Sequence, residues 1–163
     1  MGSFLAAGGG PGDGLFLGKT EVRCRFTEVA AKGDLVQFDL ANIATGLLTE
    51  GGAPGTSKLN TVRIPDASAT SVANTQCYFY GLASEAVAAG ADGPVLVRGK
   101  FTDANVVTCV QGSALIPVTT GRMGIAAVGT PTGAKIIGIA LEADTSNAAD
   151  VIFNGIEGIG FDA

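Results

Sequence analysis

Apolar and polar side chains alternate along two short segments near the start of the chain. In Glu21–Phe26 every second residue is apolar, beginning with Val22, and the same pattern returns in Val36–Leu40. A period of two is that of a β-strand with one buried face. The turn residues Ala31–Asp34 between the two segments predict that they form an antiparallel hairpin.

Similar segments recur along the rest of the chain, to give about ten short strands in all. The further predicted strands are Thr61–Ile64, Gln76–Leu82, Val95–Arg98, Val106–Val110, Ser113–Val118, Ile125–Val128, Lys135–Leu141 and Val151–Ile156. The best helical candidate is Ala83–Ala89, which Gly90 ends within two turns. Short, closely spaced strands predict an all-β fold, a single-domain β-sandwich or β-barrel.

One motif occurs twice in the second half. Gly81–Ala86 opens a stretch that ends at Gly99, and Gly138–Ala143 opens one that ends at Gly155. With a one-residue gap the identical pairs are Gly81/Gly138, Ala83/Ala140, Glu85/Glu142, Ala86/Ala143, Ala91/Ala148, Val95/Val151 and Gly99/Gly155. Each copy reads strand, small-residue loop, strand, so we predict two related hairpin repeats in one barrel or sandwich. Gly99 and Gly155, each just past a predicted strand, would allow a turn or a close backbone approach.

Residues 1–18 differ in composition from the remainder. The run Gly8–Gly14 cannot hold a regular element, because glycine loses the most backbone entropy on ordering. Apolar residues flank it, and these are the candidate capsid- or subunit-contact residues: Phe4, Leu5, Leu15, Phe16 and Leu17. We predict a flexible N-terminal arm over residues 1–18 that docks on a partner or neighbouring subunit, and a β-barrel or sandwich domain over residues 19–163. A frayed terminus is the alternative.

Charge and composition argue against two classes of partner, nucleic acids and membranes. The formal net charge is −5 and the ten Lys and Arg residues are scattered, which argues against nucleic acid. Arg23 and Arg25 alternate along a strand and indicate a solvated face rather than a patch for an acidic partner. No run approaches the roughly 18 apolar residues of a membrane helix, and the start lacks the basic region of a secretory signal. We therefore expect no membrane partner and synthesis in the cytoplasm.

The chain contains few side chains of the types that serve in catalysis or metal binding. It contains no histidine, which excludes Ser–His–Asp and Cys–His sites and zinc catalysis through H-E-x-x-H. Cys24, Cys77 and Cys109 form no close pair and lie in apolar or alternating contexts, where cysteine behaves as a small buried hydrophobe. Three cysteines allow one disulfide, but three isolated thiols without a histidine argue against a metal site. We expect no catalytic residues, no metal and no cofactor.

Carboxylate chemistry needs only two acidic residues, so composition alone does not dismiss it. Glu85 and Glu142 occupy equivalent places in the two repeats and could face each other as a dyad or a cation site. The favoured interpretation is that both meet water where a strand leaves the sheet, since acidic residues are almost never buried unpaired.

The repeats resemble a known family. The pattern Gly-hydrophobic-Ala-x-Glu-Ala, a small-residue loop, then Val-x-Val-x-Gly is similar to the repeated hairpins of bacteriophage head decoration proteins, also called cement or capsid-stabilising proteins. Tyr80–Gly99 carries one copy and Ile136–Gly155 the other, with Asn147 where the first has Gly90. Ala114–Gly121 resembles the segment that connects such hairpins.

This resemblance implies a structural protein and not an enzyme. Proteins of this family form homotrimers on the outer surface of the virion head, where subunits of the major capsid protein meet, and stabilise the lattice against the pressure of packaged DNA. The implied partners are the major capsid protein and further copies of the chain. The glycine-rich start matches no family motif, so the arm is inferred from its own residues.

Two other functions remain open at this stage. One is a tail or fibre component of a virion, which copy number would separate from a decoration protein. The other is a carboxylate-based enzyme or a ligand-binding β-barrel, which would need Glu85 and Glu142, or another acidic pair, to converge in a cleft.

Overall fold

A computed structural model describes residues 18–38, 61–65, 79–119, 121–126 and 135–156. Within these ranges the chain forms nine β-strands and no helix. The strands are β1 (Thr20–Phe26), β2 (Leu35–Phe38), β3 (Thr61–Arg63), β4 (Tyr80–Ala83), β5 (Asp92–Asn105), β6 (Ala114–Thr119), β7 (Arg122–Ile125), β8 (Gly138–Ala140) and β9 (Ala148–Asn154). The predicted all-β fold is confirmed.

Five strand segments close into a ring in the first half of the fold. Their order is β1-β3-β2-β4-β5, and the N-terminal part of β5 pairs back onto β1. β3 lies parallel to β1, and the other neighbours are antiparallel. We call β1 to β4 with residues 92–98 of β5 the first ring.

The remainder of β5 begins a second ring. Residues 99–105 of β5 pair with β9, and β8, β6 and β7 follow in order. Val106 closes this ring through a parallel bridge to Met123, whose carbonyl also accepts a 2.8 Å hydrogen bond from Val107 N. We call residues 99–105 of β5 with β6 to β9 the second ring. Closed rings of strands are typical of β-barrels, so the structure favours the barrel over the sandwich among the two predicted architectures.

The two rings share one strand order and one register. The matched cross-strand pairs are Ala83–Val95 with Ala140–Val151, Leu82–Leu96 with Ile139–Ile152, Leu35–Leu82 with Ala114–Ile139, and Gln37–Arg63 with Ile116–Gly124. The predicted pair of hairpins, β4–β5 and β8–β9, is therefore confirmed. The duplication extends further, to the whole five-strand ring.

The turns follow the same duplication. Gly33 N donates to Ala83 O in the first ring and Gly112 N donates to Ala140 O in the second, both at 2.8 Å. Gly33 has a φ of +87° and Gly112 a φ of +84°, a backbone conformation that glycine adopts without steric cost. The sequence keeps glycine at both places because the turn requires this conformation.

Each ring has its own apolar interior, and the larger cluster joins the two. Leu35, Leu82 and Leu96 point outward from the first ring, since Val36, Ala83 and Val95 point into it. These three leucines belong to the cluster that fills the second ring and are 0% exposed. The rings are thus packed against each other as one domain.

Backbone hydrogen bonds fix this contact between the rings. Asn105 N donates to Gly33 O at 2.9 Å, and Leu35 N donates to Gly121 O at 2.8 Å. The Asp34 carboxylate accepts a further bond from the Asn105 side-chain amide. A Cβ at Gly33 would lie 2.4 Å from Asp103 O, so the two backbones meet here without room for a side chain.

Gly99 and Gly155 lie where β5 passes from one ring to the other. Gly155 N donates to Val97 O, and its own carbonyl accepts from Tyr80 N. A Cβ at Gly155 would lie 2.0 Å from Tyr80 O, and one at Gly99 would lie 3.0 Å from Lys19 Cα. The close backbone approach predicted for both glycines is confirmed, although Gly99 lies within β5 and not after a strand.

Four local predictions were wrong. The strand predicted at Ile125–Val128 is misplaced, because β7 spans Arg122–Ile125 and Ala126 lies outside it. β1 and β2 do not form a hairpin, because β3 inserts between them. Residues 106–110 do not form a strand: only Val106 bridges, and the chain then turns. The helical candidate Ala83–Ala89 is a strand end and a loop, in which Val87 bridges to Ala30.

Candidate interaction surfaces

The predicted contact residues of the N-terminal arm, from Phe4 to Leu17, lie outside the described residues, as does Cys77. Their role stays a prediction. The described surfaces that could bind a partner are those of the two rings.

Glu85 and Glu142 lie in equivalent loops, one after β4 and one after β8, and both are exposed. Glu142 accepts a 3.2 Å hydrogen bond from Asp150 N, which ties it to its own hairpin. This is the solvated position that the sequence favoured for both residues. Among the described residues, no three Cys, Asp or Glu side chains lie together in a way that could hold a metal ion.

The two described cysteines are buried, which disfavours their thiolate forms. Burial, together with the nearby Asp92 carboxylate, raises the pKa of the Cys24 thiol to about 11. Burial also raises the pKa of Cys109, and the negative charge of Asp144 raises it further, while the hydrogen bond to Asp144 acts in the opposite direction. Since the thiolate is the nucleophile, neither thiol suits covalent catalysis at neutral pH. The prediction that both behave as buried hydrophobes is confirmed, and both are free thiols.

The loop around Cys109 is held by Asp144. Its Oδ1 accepts from Cys109 N at 2.9 Å, while its own N donates to Cys109 O at 3.2 Å. In the first ring the equivalent pair, Ala30 and Val87, exchanges two backbone hydrogen bonds of 2.9 Å. The equivalent loops are therefore held in the same way in the two rings, by the backbone carbonyl of Val87 in the first and by the side-chain carboxylate of Asp144 in the second.

These loops carry exposed apolar side chains. Val29 is 72% exposed in the β1–β2 connection of the first ring, and Val110 is 61% exposed in the equivalent β5–β6 connection of the second. Val107 is exposed beside it. We call these three valines the valine tips. The sequence did not predict that Val107 and Val110 are exposed, because residues 106–110 have the pattern of a strand, in which alternate valines would be buried.

Four ion pairs join charged side chains on the described surface. The ion pairs are Lys19–Glu21 at 2.9 Å, Arg25–Asp92 at 3.0 Å, Lys32–Asp103 at 3.7 Å and Lys100–Asp150 at 3.2 Å. Arg23 and Arg25 are exposed, as predicted. Each of these four pairs places a carboxylate beside a Lys or Arg side chain and so offsets its positive charge. Within the described ranges there is also no helix long and apolar enough to cross a membrane.

Comparisons with known proteins give a likeness of fold. No family model matches the chain, and no curated protein matches it. A solved structure, the N base of the head fibre protein gp8.5 of bacteriophage phi29, superimposes with a TM-score of 0.50 at 10% sequence identity. The match covers 88% of this chain and 99% of that one. At this identity the comparison shows that the chain is similar to the head fibre base in fold alone.

Proposed function

We propose that this chain is a structural protein of a bacteriophage virion, and that it decorates the outer surface of the head by binding the major capsid protein. The observation that carries the proposal is the likeness in fold to a phage head fibre base over nearly the whole of that base. The resemblance of the two hairpin repeats to head decoration proteins supports it from the sequence side.

The chemistry of the rings is consistent with binding rather than catalysis. The described thiols have raised pKa values, and the two equivalent glutamates are solvated. A protein that stabilises a lattice needs a rigid framework and contacts that symmetry repeats. Weak contacts multiplied over several copies give high avidity.

The proposed contacts with the capsid are the N-terminal arm and the valine tips. Each exposed valine that becomes buried contributes up to about 1.5–2 kcal/mol, so a few tips per copy suffice when several copies bind together. The proposed assembly is a homotrimer on the outside of the head, which would repeat these contacts three times.

The stoichiometry of purified virions tests the proposal. Quantitative mass spectrometry should give a ratio of this chain to the major capsid protein near one, or a simple lattice fraction of it. Absence of the chain from the particle would contradict a virion role altogether and would return attention to the carboxylate enzyme.

A head fibre base is the second candidate, and the same fold likeness favours it. A fibre attaches at fewer places than a lattice-wide decoration protein. A handful of copies per particle would therefore support the fibre and contradict decoration. Imaging of particles would then show projections instead of a uniform outer layer.

A further inference from the structure

The duplication supplies an internal control for the surface of the second ring. Equivalent places in the two rings serve the same fold, so an exposed side chain that the fold requires should keep its character in both. Two places depart from this expectation. Val107 is 38% exposed and Val110 is 61% exposed, whereas the equivalent residues of the first ring are a polar Thr27 and a small Ala31, both exposed.

Backbone pairing establishes that Val107 is the equivalent of Thr27. Thr27 N donates to Val62 O at 3.0 Å in the first ring, and Val107 N donates to Met123 O at 2.8 Å in the second. The residue before each donor forms the parallel pairing with the same acceptor residue. Threonine therefore satisfies this position in the fold, and the fold does not require the valine.

A turn establishes that Val110 is the equivalent of Ala31. Asp34 N donates to Ala31 O at 3.2 Å, and Ser113 N donates to Val110 O at 3.0 Å. The side chains of Asp34 and Ser113 accept in return from Ala31 N and Val110 N. Alanine suffices for this turn in the first ring. Two exposed valines that the fold does not require point to a partner that buries them, since burial of apolar surface is favourable.

Two carboxylates lie beside these valines. Cys109, between Val107 and Val110, donates from N to Asp144 Oδ1 at 2.9 Å and from Sγ to Glu142 O at 3.7 Å. Within the described ranges neither carboxylate takes part in an ion pair. Residues 106–113 and 141–147, which form the two loops, contain no Lys or Arg. This part of the second ring is therefore apolar with a negative rim, and we call it the second-ring tip: Val107, Val110, Glu142 and Asp144.

The second-ring tip has a fixed shape before it meets a partner. Cys109 and Asp144 bond to each other twice, and Gly112 N donates to Ala140 O at 2.8 Å. The turn at Val110 is closed at both its N and its O. A loop that is already ordered loses little conformational entropy on binding, so more of the gain from valine burial appears as affinity.

We propose that the second-ring tip docks into an apolar recess of the major capsid protein whose rim carries Lys or Arg side chains. An apolar centre with a negative rim is complementary to such a recess, and opposite charges speed association and fix the orientation of the partners. This inference rests on the proposed function, and it names the chemistry of the surface that the chain recognises.

Binding of the purified full chain to capsids that lack it, measured by co-sedimentation, tests the apolar part. Val107→Thr and Val110→Ala give the second ring the residues that the first ring already holds, so both variants should fold. Each should raise the dissociation constant about tenfold. Val22→Thr is the matched control, since Val22 is 37% exposed on β1 against 38% for Val107, and it should bind like the wild type.

The same measurement over a range of salt concentrations tests the charged part. Glu142→Gln and Asp144→Asn keep the hydrogen-bond acceptors of these side chains and remove their charges. Both should weaken binding at ~0.01 M salt and match the wild type at ~1 M, where charges more than ~3 Å apart are screened. Glu85→Gln, at the equivalent exposed carboxylate of the first ring, should keep the wild-type salt response.

Circular dichroism and thermal unfolding establish that each variant is folded. If Val110→Ala fails to fold, Val110→Thr keeps the branched shape and should also weaken binding. Folded valine variants that bind like the wild type would overturn the inference and leave the proposed function in place. Weak valine variants beside carboxylate variants with a wild-type salt response would overturn the basic rim and so the inference. A wild type that binds capsids at no salt concentration would contradict the proposed function itself and the inference with it.

Discussion

Arg98 pairs across the sheet with Asn154, the residue that occupies its own position in the second repeat. The pattern is symmetric about this pair: Gly99 lies opposite Phe153, and Gly155 donates to Val97. Two copies of one strand therefore hydrogen-bond to each other at matching residues. The glycine after each copy allows the crossing, since both backbones have close neighbours there.

Gly155→Ala should destabilise the protein by about 1–3 kcal/mol, because the new methyl group would overlap the backbone carbonyl of Tyr80, which cannot move away as a side chain could. Chemical denaturation measures the free energy of unfolding. Gly18→Ala is the control, since nothing lies within 4 Å of a Cβ at that position. Its effect should stay within about 0.5 kcal/mol. Equal stability of the two variants would contradict the close approach.

Gly90→Asn should be tolerated within about 0.5 kcal/mol, because Asn147 holds the equivalent position with a φ of +64° against +77° for Gly90. Gly90→Val should cost about 1–2 kcal/mol, since a branched residue disfavours a left-handed backbone. A Cβ at Gly90 meets nothing within 4 Å, so the comparison isolates backbone conformation. Thermal unfolding of the two variants provides the measurement, and a valine variant as stable as the asparagine one would refute the expectation.

Asp34→Ser should cost less stability than Asp34→Ala. Asp34 Oδ2 accepts from Ala31 N at 2.7 Å, and in the second ring Ser113 Oγ accepts from Val110 N at 3.1 Å in the same turn. Serine therefore retains the turn bond, worth about 1 kcal/mol, and loses only the bond to Asn105.

A double-mutant cycle of Asp34→Ser with Asn105→Ala checks this division. Asn105→Ala should have little further effect once Asp34→Ser has removed its partner. Strict additivity of the two changes would show that the side chains do not interact.

The Cys24 thiol should make stability fall as pH rises above about 9. Its pKa is raised from an ordinary value of 9.0 to about 11, so the folded state holds the proton through a range in which the unfolded thiol has lost it. Between these values the unfolded state binds fewer protons and gains stability relative to the folded state. Urea unfolding at pH 8 to 10.5 measures the slope. Cys24→Ala should give a shallower one, and an identical slope would assign the effect to other groups.

Deletion of residues 1–18 should leave a folded β core and weaken attachment to capsids. The apolar residues on either side of Gly8–Gly14 motivate this expectation, since anchors on a glycine tether suit a docking arm. Circular dichroism reports on the core, and co-sedimentation with capsids that lack the protein reports on attachment. Unchanged affinity of the truncated chain would remove the arm from the function.

Much of the fold could be predicted from local pattern. Alternation identified β1 and β2, and the identities between Gly81–Gly99 and Gly138–Gly155 predicted two related hairpins. The remaining parts of the two rings share register without matching residues: Leu35 corresponds to Ala114, and Arg63 to Gly124. The duplication of these strands is seen in their hydrogen-bond register and not in their residues, so comparison of residue identities could not predict it.

The errors have a common physical source, which is contact between residues far apart in the chain. β3 enters between β1 and β2, a parallel pairing that no turn signal near residue 33 could indicate. Val107 and Val110 look like strand residues but stand at an exposed loop.

β5 is the last strand of one ring and the first strand of the other. The duplicated halves therefore have no boundary at which they could be cut, exchanged or inserted as separate modules, because any break removes a strand from one of them. A local opening at Gly99 would disturb both interiors together. Because the strand is shared, we expect the two rings to bear mechanical load as one body, which would suit the proposed place on a particle under internal pressure.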